Sequence, residues 1–234
     1  MFRKNRKIKN HIELISIHIP KTAGTSFRNI LKKSFGEEKV ARLDIKNDPL
    51  QVEVDSLPFT DSKLPPKIRV IHGHFKYPDL EQLFEIKPGT PVVTWLRDPV
   101  QRVVSNYFYL SKRLHEELDE KGKGLNILAK MEKSLMEYAR AEINRNRISK
   151  FLTGIKLDQL DFVGIMEHYA EDLEIFKRTF DLPDLEIFEH NVTGTKKEVC
   201  EADLEEIKQL NTEDISLYEI ALKIRDKQLQ KFNL

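Results

Sequence analysis

Residues 12–31, IELISIHIPKTAGTSFRNIL, run from a β-branched apolar stretch through a short polar loop into a segment of helical periodicity. That order restricts the chain to folds in which a buried strand feeds a helix through a tight turn. Ile12, Leu14, Ile15, Ile17 and Ile19 predict the strand, which Pro20 ends because it has no N–H for a central ladder. Phe27, Ile30, Leu31 and Phe35 recur at helical spacing, with Thr25 and Ser26 as N-cap candidates. A helix start leaves backbone N–H groups unpaired at the positive end of its dipole, which suits an anion. Lys21 adds a full charge there, and the hydroxyls of Thr22, Thr25 and Ser26 add donors. The backbone of Ala23 and Gly24 completes the loop, the glycine allowing close approach. The same residues also fit an ordinary strand-to-helix turn.

A second segment, PVVTWLRDPVQRVVSNYFYL at 91–110, repeats the arrangement. Val92, Val93, Trp95 and Leu96 predict a buried strand, Asp98 a cap and Pro99 the first helical turn. Arg97 leaves the strand's carboxyl end and Ser105 lies about two turns along the helix, so both can converge on one anion. Trp95, in mid-strand, is read as core rather than as a base-stacking ring. Arg102 is read as a brace for the loop, paired with Asp98 or another acid.

Between them, KIRVIHGHFKYPDLEQLF at 67–84 predicts a strand ending at His72-Gly73-His74 and a short helix opened by Pro78 and Asp79. Strand carboxyl ends collect ligands in doubly wound sheets, and imidazole suits a general base. One of the two histidines, rather than both, is expected to contact a ligand unless Gly73 turns the chain. A metal site lacks partners: Cys200 is alone, and His11, His18, His115, His168 and His190 offer no close ligand spacing to this pair.

PKTAGTS has a single glycine, and its lysine precedes that glycine, so neither the dinucleotide-binding nor the Walker template fits. HIPKTAGTSF instead resembles the 5′-phosphosulfate loop of sulfotransferases that use 3′-phosphoadenosine 5′-phosphosulfate (PAPS), in wording close to the carbohydrate branch that includes the heparan sulfate 2-O-sulfotransferases. LRDPVxRxxSxYxY resembles that family's 3′-phosphate segment, and HGH its histidine motif. The resemblance implies a three-layer, P-loop-like α/β fold with a central, mainly parallel sheet flanked by helices. It also implies PAPS as donor and its 3′,5′-bisphosphate (PAP) as product. Lys21 and its loop would hold the 5′ end, Arg97 and Ser105 the 3′-phosphate. His74 would act as base, with His72 beside it to orient substrate or base. Asn146 and Arg147 in NRNRISKFLTG, and Lys196 in the late loop HNVTGTKK, are further contact candidates. No metal is called for, because Lys21, backbone donors and Arg97 would meet the charge. A sugar hydroxyl is the implied acceptor; a lipid, a small metabolite or a tyrosine stays open. The rival readings are a P-loop kinase with Asp98 on magnesium, and a degenerate glycan-binding module.

The 234 residues fit one domain at 11–234 behind a basic, frayed tail at 1–10 that includes Arg3, Lys4, Arg6, Lys7 and Lys9. A net charge of +1 argues against nucleic acid as a partner. No apolar run approaches the ~20 residues of a membrane span, and one cysteine suits a reducing compartment, so the expected location is cytoplasmic. Animal members of the family are commonly Golgi membrane proteins, from which this reading departs. Two helices broken near Gly122 and Gly124 are predicted between Leu110 and Phe151. A strand at 161–165, a helix at 169–180, a strand at 185–188 and a terminal helix at 213–232 complete the pattern.

Overall fold

The structure, a computed structural model, describes residues 7–47, 49–119, 133–183 and 198–233. The predicted strand at 185–188, the Gly122 and Gly124 break, Lys196 and Arg3, Lys4 and Arg6 lie outside the described residues. In chain order the elements are β1 (Leu14–Ile17), α1 (Gly24–Phe35), β2 (Val40–Asn47), β3 (Leu50–Val54), β4 (Leu57–Pro58), β5 (Val70–Gly73), α2 (Tyr77–Leu83), β6 (Val92–Leu96), α3 (Pro99–Asp119), α4 (Leu135–Arg140), α5 (Arg147–Phe151), β7 (Phe162–Ile165), α6 (Tyr169–Thr179), α7 (Glu201–Gln209) and α8 (Thr212–Phe232).

Among the described residues the strands form one sheet in the order β4-β3-β2-β5-β1-β6-β7. β2, β5, β1, β6 and β7 run parallel, while β2, β3 and β4 pair antiparallel at one edge. β1 is central, and all four of its residues are buried, as expected of a parallel strand covered on both faces. Alternation sorts the side chains into two layers. Leu14, Val70, Val93, Trp95 and Phe162 meet Phe27, Ile30 and Leu31 of α1 and Leu173 and Phe176 of α6. Ile15, Ile17, Ile71, Leu96, Val163 and Ile165 meet Leu80 of α2, Ile148 of α5 and Ala221 of α8. Helices on both faces give the three-layer α/β architecture. Trp95 is core, 3% exposed and packed on Phe27, Phe162 and Tyr169.

Helix α7 is absent from the sequence reading, and two further features differ from it. No strand is predicted between residues 40 and 58, yet β2, β3 and β4 lie there, because Leu50, Val52 and Val54 alternate with polar residues on a half-exposed edge. Ile8 and Lys9, placed by sequence in a frayed tail, form single bridges to Phe84 and Lys63, so ordered structure begins before residue 11.

The carboxyl end of β7 is fixed from behind. Asp172, fully buried, accepts from the Ile165 N–H at 2.6 Å and from Arg225 Nε at 2.6 Å, tying β7, α6 and α8 together. Removing one partner of a buried pair strands the other charge, at a cost of about 3–5 kcal/mol. Arg225→Ala is therefore expected to lower unfolding free energy in urea by that amount. A loss below about 1 kcal/mol would contradict the role given to this pair.

Candidate active site

The loop after β1 is held by its backbone. Lys21 and Ala23 both take left-handed conformations, φ 73° and 60°, and this tight winding starts α1 at Gly24. Thr25, exposed, and Ser26, half-buried, therefore sit inside the first turn and do not cap it. Ala23 holds the N-cap position without a side-chain bond, so no side chain caps the N–H groups of the first turn. Thr22 is buried and donates its hydroxyl to the Ile19 carbonyl at 2.8 Å, which helps to hold the loop's shape. Gly24 is required for packing: a Cβ there would lie 1.9 Å from the His18 ring.

Arg97, at the end of β6, reaches the same loop. Its Nη1 donates to the Lys21 carbonyl at 3.4 Å, while its Nε is buried without a hydrogen-bond partner, 3.9 Å from Glu167 Oε1. Lys21 Nζ stands 4.0 Å from the centre of the Tyr109 ring on α3. Burial lowers the pKa of both cations, and the Arg97 charge lowers that of Lys21 further. Ser105, half-buried, lies one turn before Tyr109 on the same face of α3. Asp98 caps α3 by accepting from the Gln101 N–H at 2.8 Å.

Three other candidates are bound into structure. Arg102 does not pair with the Asp98 carboxylate; it is 1% exposed and donates to the Asn144 carbonyl at 3.3 Å. Asn146, in a left-handed conformation, bonds Asn211 Oδ1 through its N–H. Arg147 donates to the Ile143 carbonyl and lies over the Phe151 ring.

The histidines form a stacked group at the carboxyl ends of β1 and β5. Side chains two apart on a strand share a face, so His72 and His74 need no turn at Gly73 to meet one neighbour. Gly73 is required instead because the Leu43 carbonyl passes 1.8 Å from where a Cβ would be. His18 stacks on His72 at 4.9 Å and lies tilted against His74 at 4.5 Å, although its position in the sequence offers no link to them. His72 is 4% exposed and exchanges a 2.9 Å hydrogen bond with the Ser16 hydroxyl. Burial lowers its pKa to about 3, helped by the neighbouring His74 and Arg28, with a hydrogen bond to the Gly24 backbone pulling the other way. A neutral ring so placed supports the group from behind. His74 is half-buried, with one face on His18 and its edge toward Phe151. Its Nδ1 lies 2.9 Å from Asp44 Oδ1, which also accepts the His74 backbone N–H at 2.9 Å. Asp44, 30 residues away in sequence, is a site residue that motif reading missed. Among the described residues no group of three or more His, Cys, Asp or Glu side chains is placed to hold a metal ion. No helix there is long and apolar enough to cross a membrane.

The sequence profile of the sulfotransferase family matches residues 5–221. The chain belongs to that family. Heparan sulfate 2-O-sulfotransferase 1 of Pongo abelii is 31% identical over 116 residues, 46% of this chain and 32% of the relative. Its namesake from Cricetulus griseus is 33% identical over 107 residues, 42% of this chain and 29% of the relative. The matched stretch thus spans about a third of the length of these curated relatives. Among solved structures, mouse sulfotransferase SULT7A1 complexed with PAP aligns over 88% of this chain and 66% of its own, at 10% identity and a TM-score of 0.43.

His72 gives the fold a pH dependence whose sign follows from its environment. Its folded pKa lies below the unfolded value near 6.5, so as pH falls the unfolded chain takes up the proton first. The stability held by the neutral ring is complete above about pH 6.5 and drains as pH falls toward 3, by about 1.4 kcal/mol per pH unit. Urea denaturation between pH 6 and pH 5 is expected to show the wild type losing that much more than His72→Asn. Equal losses in the two proteins would contradict the buried neutral state.

Proposed function

We propose that this sulfotransferase moves the sulfuryl group of PAPS onto a hydroxyl, on a carbohydrate acceptor. The observation that carries the reading is that cations from two separate strand-to-helix units, Lys21 and Arg97, share one cleft at the carboxyl ends of β1 and β6. An elongated nucleotide with an anionic group at each end fits that arrangement. The orphaned Nε of Arg97 and the N–H groups of the first turn of α1, which no side chain caps, are donors awaiting acceptors.

Lys21 and the backbone of Ala23, Gly24, Thr25 and Ser26 would hold the 5′ end, where PAPS supplies an activated sulfuryl group. Arg97, with Ser105 on the facing helix, would hold the 3′-phosphate. Lys21, partly shielded from water and beside the helix start, stabilises negative charge that grows on the phosphate oxygens. His74 takes the acceptor's proton. His72, buried behind it, fixes the loop and the ring stack. The sugar acceptor rests on the likeness to enzymes named for heparan sulfate.

The rival kinase reading gives the opposite nucleotide behaviour. Calorimetry is expected to show adenosine 3′,5′-bisphosphate binding without magnesium, and Arg97→Ala weakening it by about 1.5–3 kcal/mol, as for a lost charged hydrogen bond. Magnesium-dependent ATP binding with no affinity for the bisphosphate would overturn the assignment. In transfer assays against a glycan panel, Lys21→Ala is expected to lower kcat about 10²–10³-fold. His74→Ala should lower it about 10²–10⁴-fold with nucleotide affinity unchanged. Bisphosphate binding with no turnover on any hydroxyl acceptor would favour the degenerate glycan-binding module.

A further inference from the structure

We propose that Asp44 is the positioning residue of the base: its carboxylate locks the His74 imidazole with Nδ1–H turned inward and Nε2 presented to the acceptor hydroxyl. The proposal rests on the reading of His74 as base. Its geometry stands by itself.

Asp44 is 8% exposed on β2, beside the strand that delivers His74. Oδ1 receives both the backbone N–H and the ring Nδ1 of His74, each at 2.9 Å, so one atom fixes the residue's main chain and its ring. Oδ2 receives Arg42 Nε at 2.7 Å. Burial alone would raise the pKa of this carboxyl, but the hydrogen bonds from His74 and the charge of Arg42 hold it well below the usual carboxylate range. An ionised carboxylate only accepts, so Nδ1 carries the hydrogen and the basic lone pair belongs to Nε2. Packing against His18 at 4.5 Å and Phe151 at 6.2 Å opposes rotation of the ring out of this orientation.

In the transfer step the acceptor O–H bond breaks and its proton bonds to Nε2. The oxygen's electron pair forms the new O–S bond, and the S–O bond to the donor phosphate breaks with its pair left on the phosphate. Asp44 stays ionised throughout and offsets the charge that appears on the imidazolium. The titratable and charged groups packed about the ring are Asp44 and, behind it, Arg42 from β2, His18 beyond β1 and His72 on β5, with Arg28 of α1 acting on His72. Asp44 is the anion among them. Arg42, on its far side, tempers its effect.

The test compares Asp44→Asn and Arg42→Gln with wild type by nitrogen-15 NMR of the His74 ring, bisphosphate affinity and the pH dependence of kcat. The wild-type ring is expected to be a single Nδ1–H tautomer, and Asp44→Asn a mixture with the Nε2–H form. Asp44→Asn should lower kcat about 10–100-fold, leave bisphosphate affinity within twofold, and move the acidic limb of the kcat profile to lower pH by about one pH unit. Arg42→Gln keeps a donor for Oδ2 but removes the charge, so the same limb should move to higher pH. A structural role alone would not produce limb movements of opposite sign. An Nε2–H tautomer in the wild type, or limbs that stay in place in both variants, would overturn the proposal. Should Asp44→Asn fail to fold, the wild-type tautomer and Arg42→Gln still decide. Should His74→Ala keep normal turnover, the base reading fails, while the tautomer measurement still reports on the clamp.

Discussion

Two cations, Lys21 and Arg97, stand half-buried together at the carboxyl ends of β1 and β6, and the site depends on how the backbone tolerates that. Lys21 and Arg97 repel each other, yet the Arg97 guanidinium lies against the Lys21 carbonyl and the Lys21 ammonium against the Tyr109 ring. Carbonyl and aromatic face offset part of the repulsion, and the Glu167 carboxylate stands on the other side of Arg97. The remainder is positive charge at the carboxyl ends of β1 and β6, which makes an anionic ligand favourable there. The buried Asp172–Arg225 pair holds β7 and, one residue beyond it, the segment that carries Glu167.

The loop and the proposed base are not independent modules. The His18 ring occupies the space that a side chain at Gly24 would need, and it packs against both His72 and His74. A side chain at Gly24 that displaced the His18 ring would therefore also disturb its contacts with His72 and His74. Such coupling explains why a glycine that looks suited only to ligand approach is also fixed by packing. It also gives His72 a purpose that needs no contact with substrate: a neutral, buried ring bonded to Ser16 keeps the strand ends in register.

Much of this was legible in the chain. β1, β5, β6 and β7 are short apolar runs of the kind that only a covered parallel sheet buries, and the Asp98-Pro99 start of α3 behaves as capping rules expect. The start of α1 was not, because it is set by left-handed residues at Lys21 and Ala23, and neither residue type advertises that conformation. The hydroxyls of Thr22, Thr25 and Ser26 show the same limit: residue type gives donor chemistry, and backbone winding decides where the donors point. Asp44 and His18 escaped for a different reason. Their partners lie in neighbouring strands, and pairing across a sheet leaves no trace in local spacing. Asp44 sits in the β2–β3–β4 edge, whose mixed polar pattern hid the strands as well.

A co-crystal structure with adenosine 3′,5′-bisphosphate tests the central claim most directly. The 5′-phosphate should bond Lys21 Nζ and the first-turn N–H groups of α1, and the 3′-phosphate should bond Arg97 and Ser105. Phosphates bound away from this cleft, or a nucleotide that touches only one of the two cations, would contradict it.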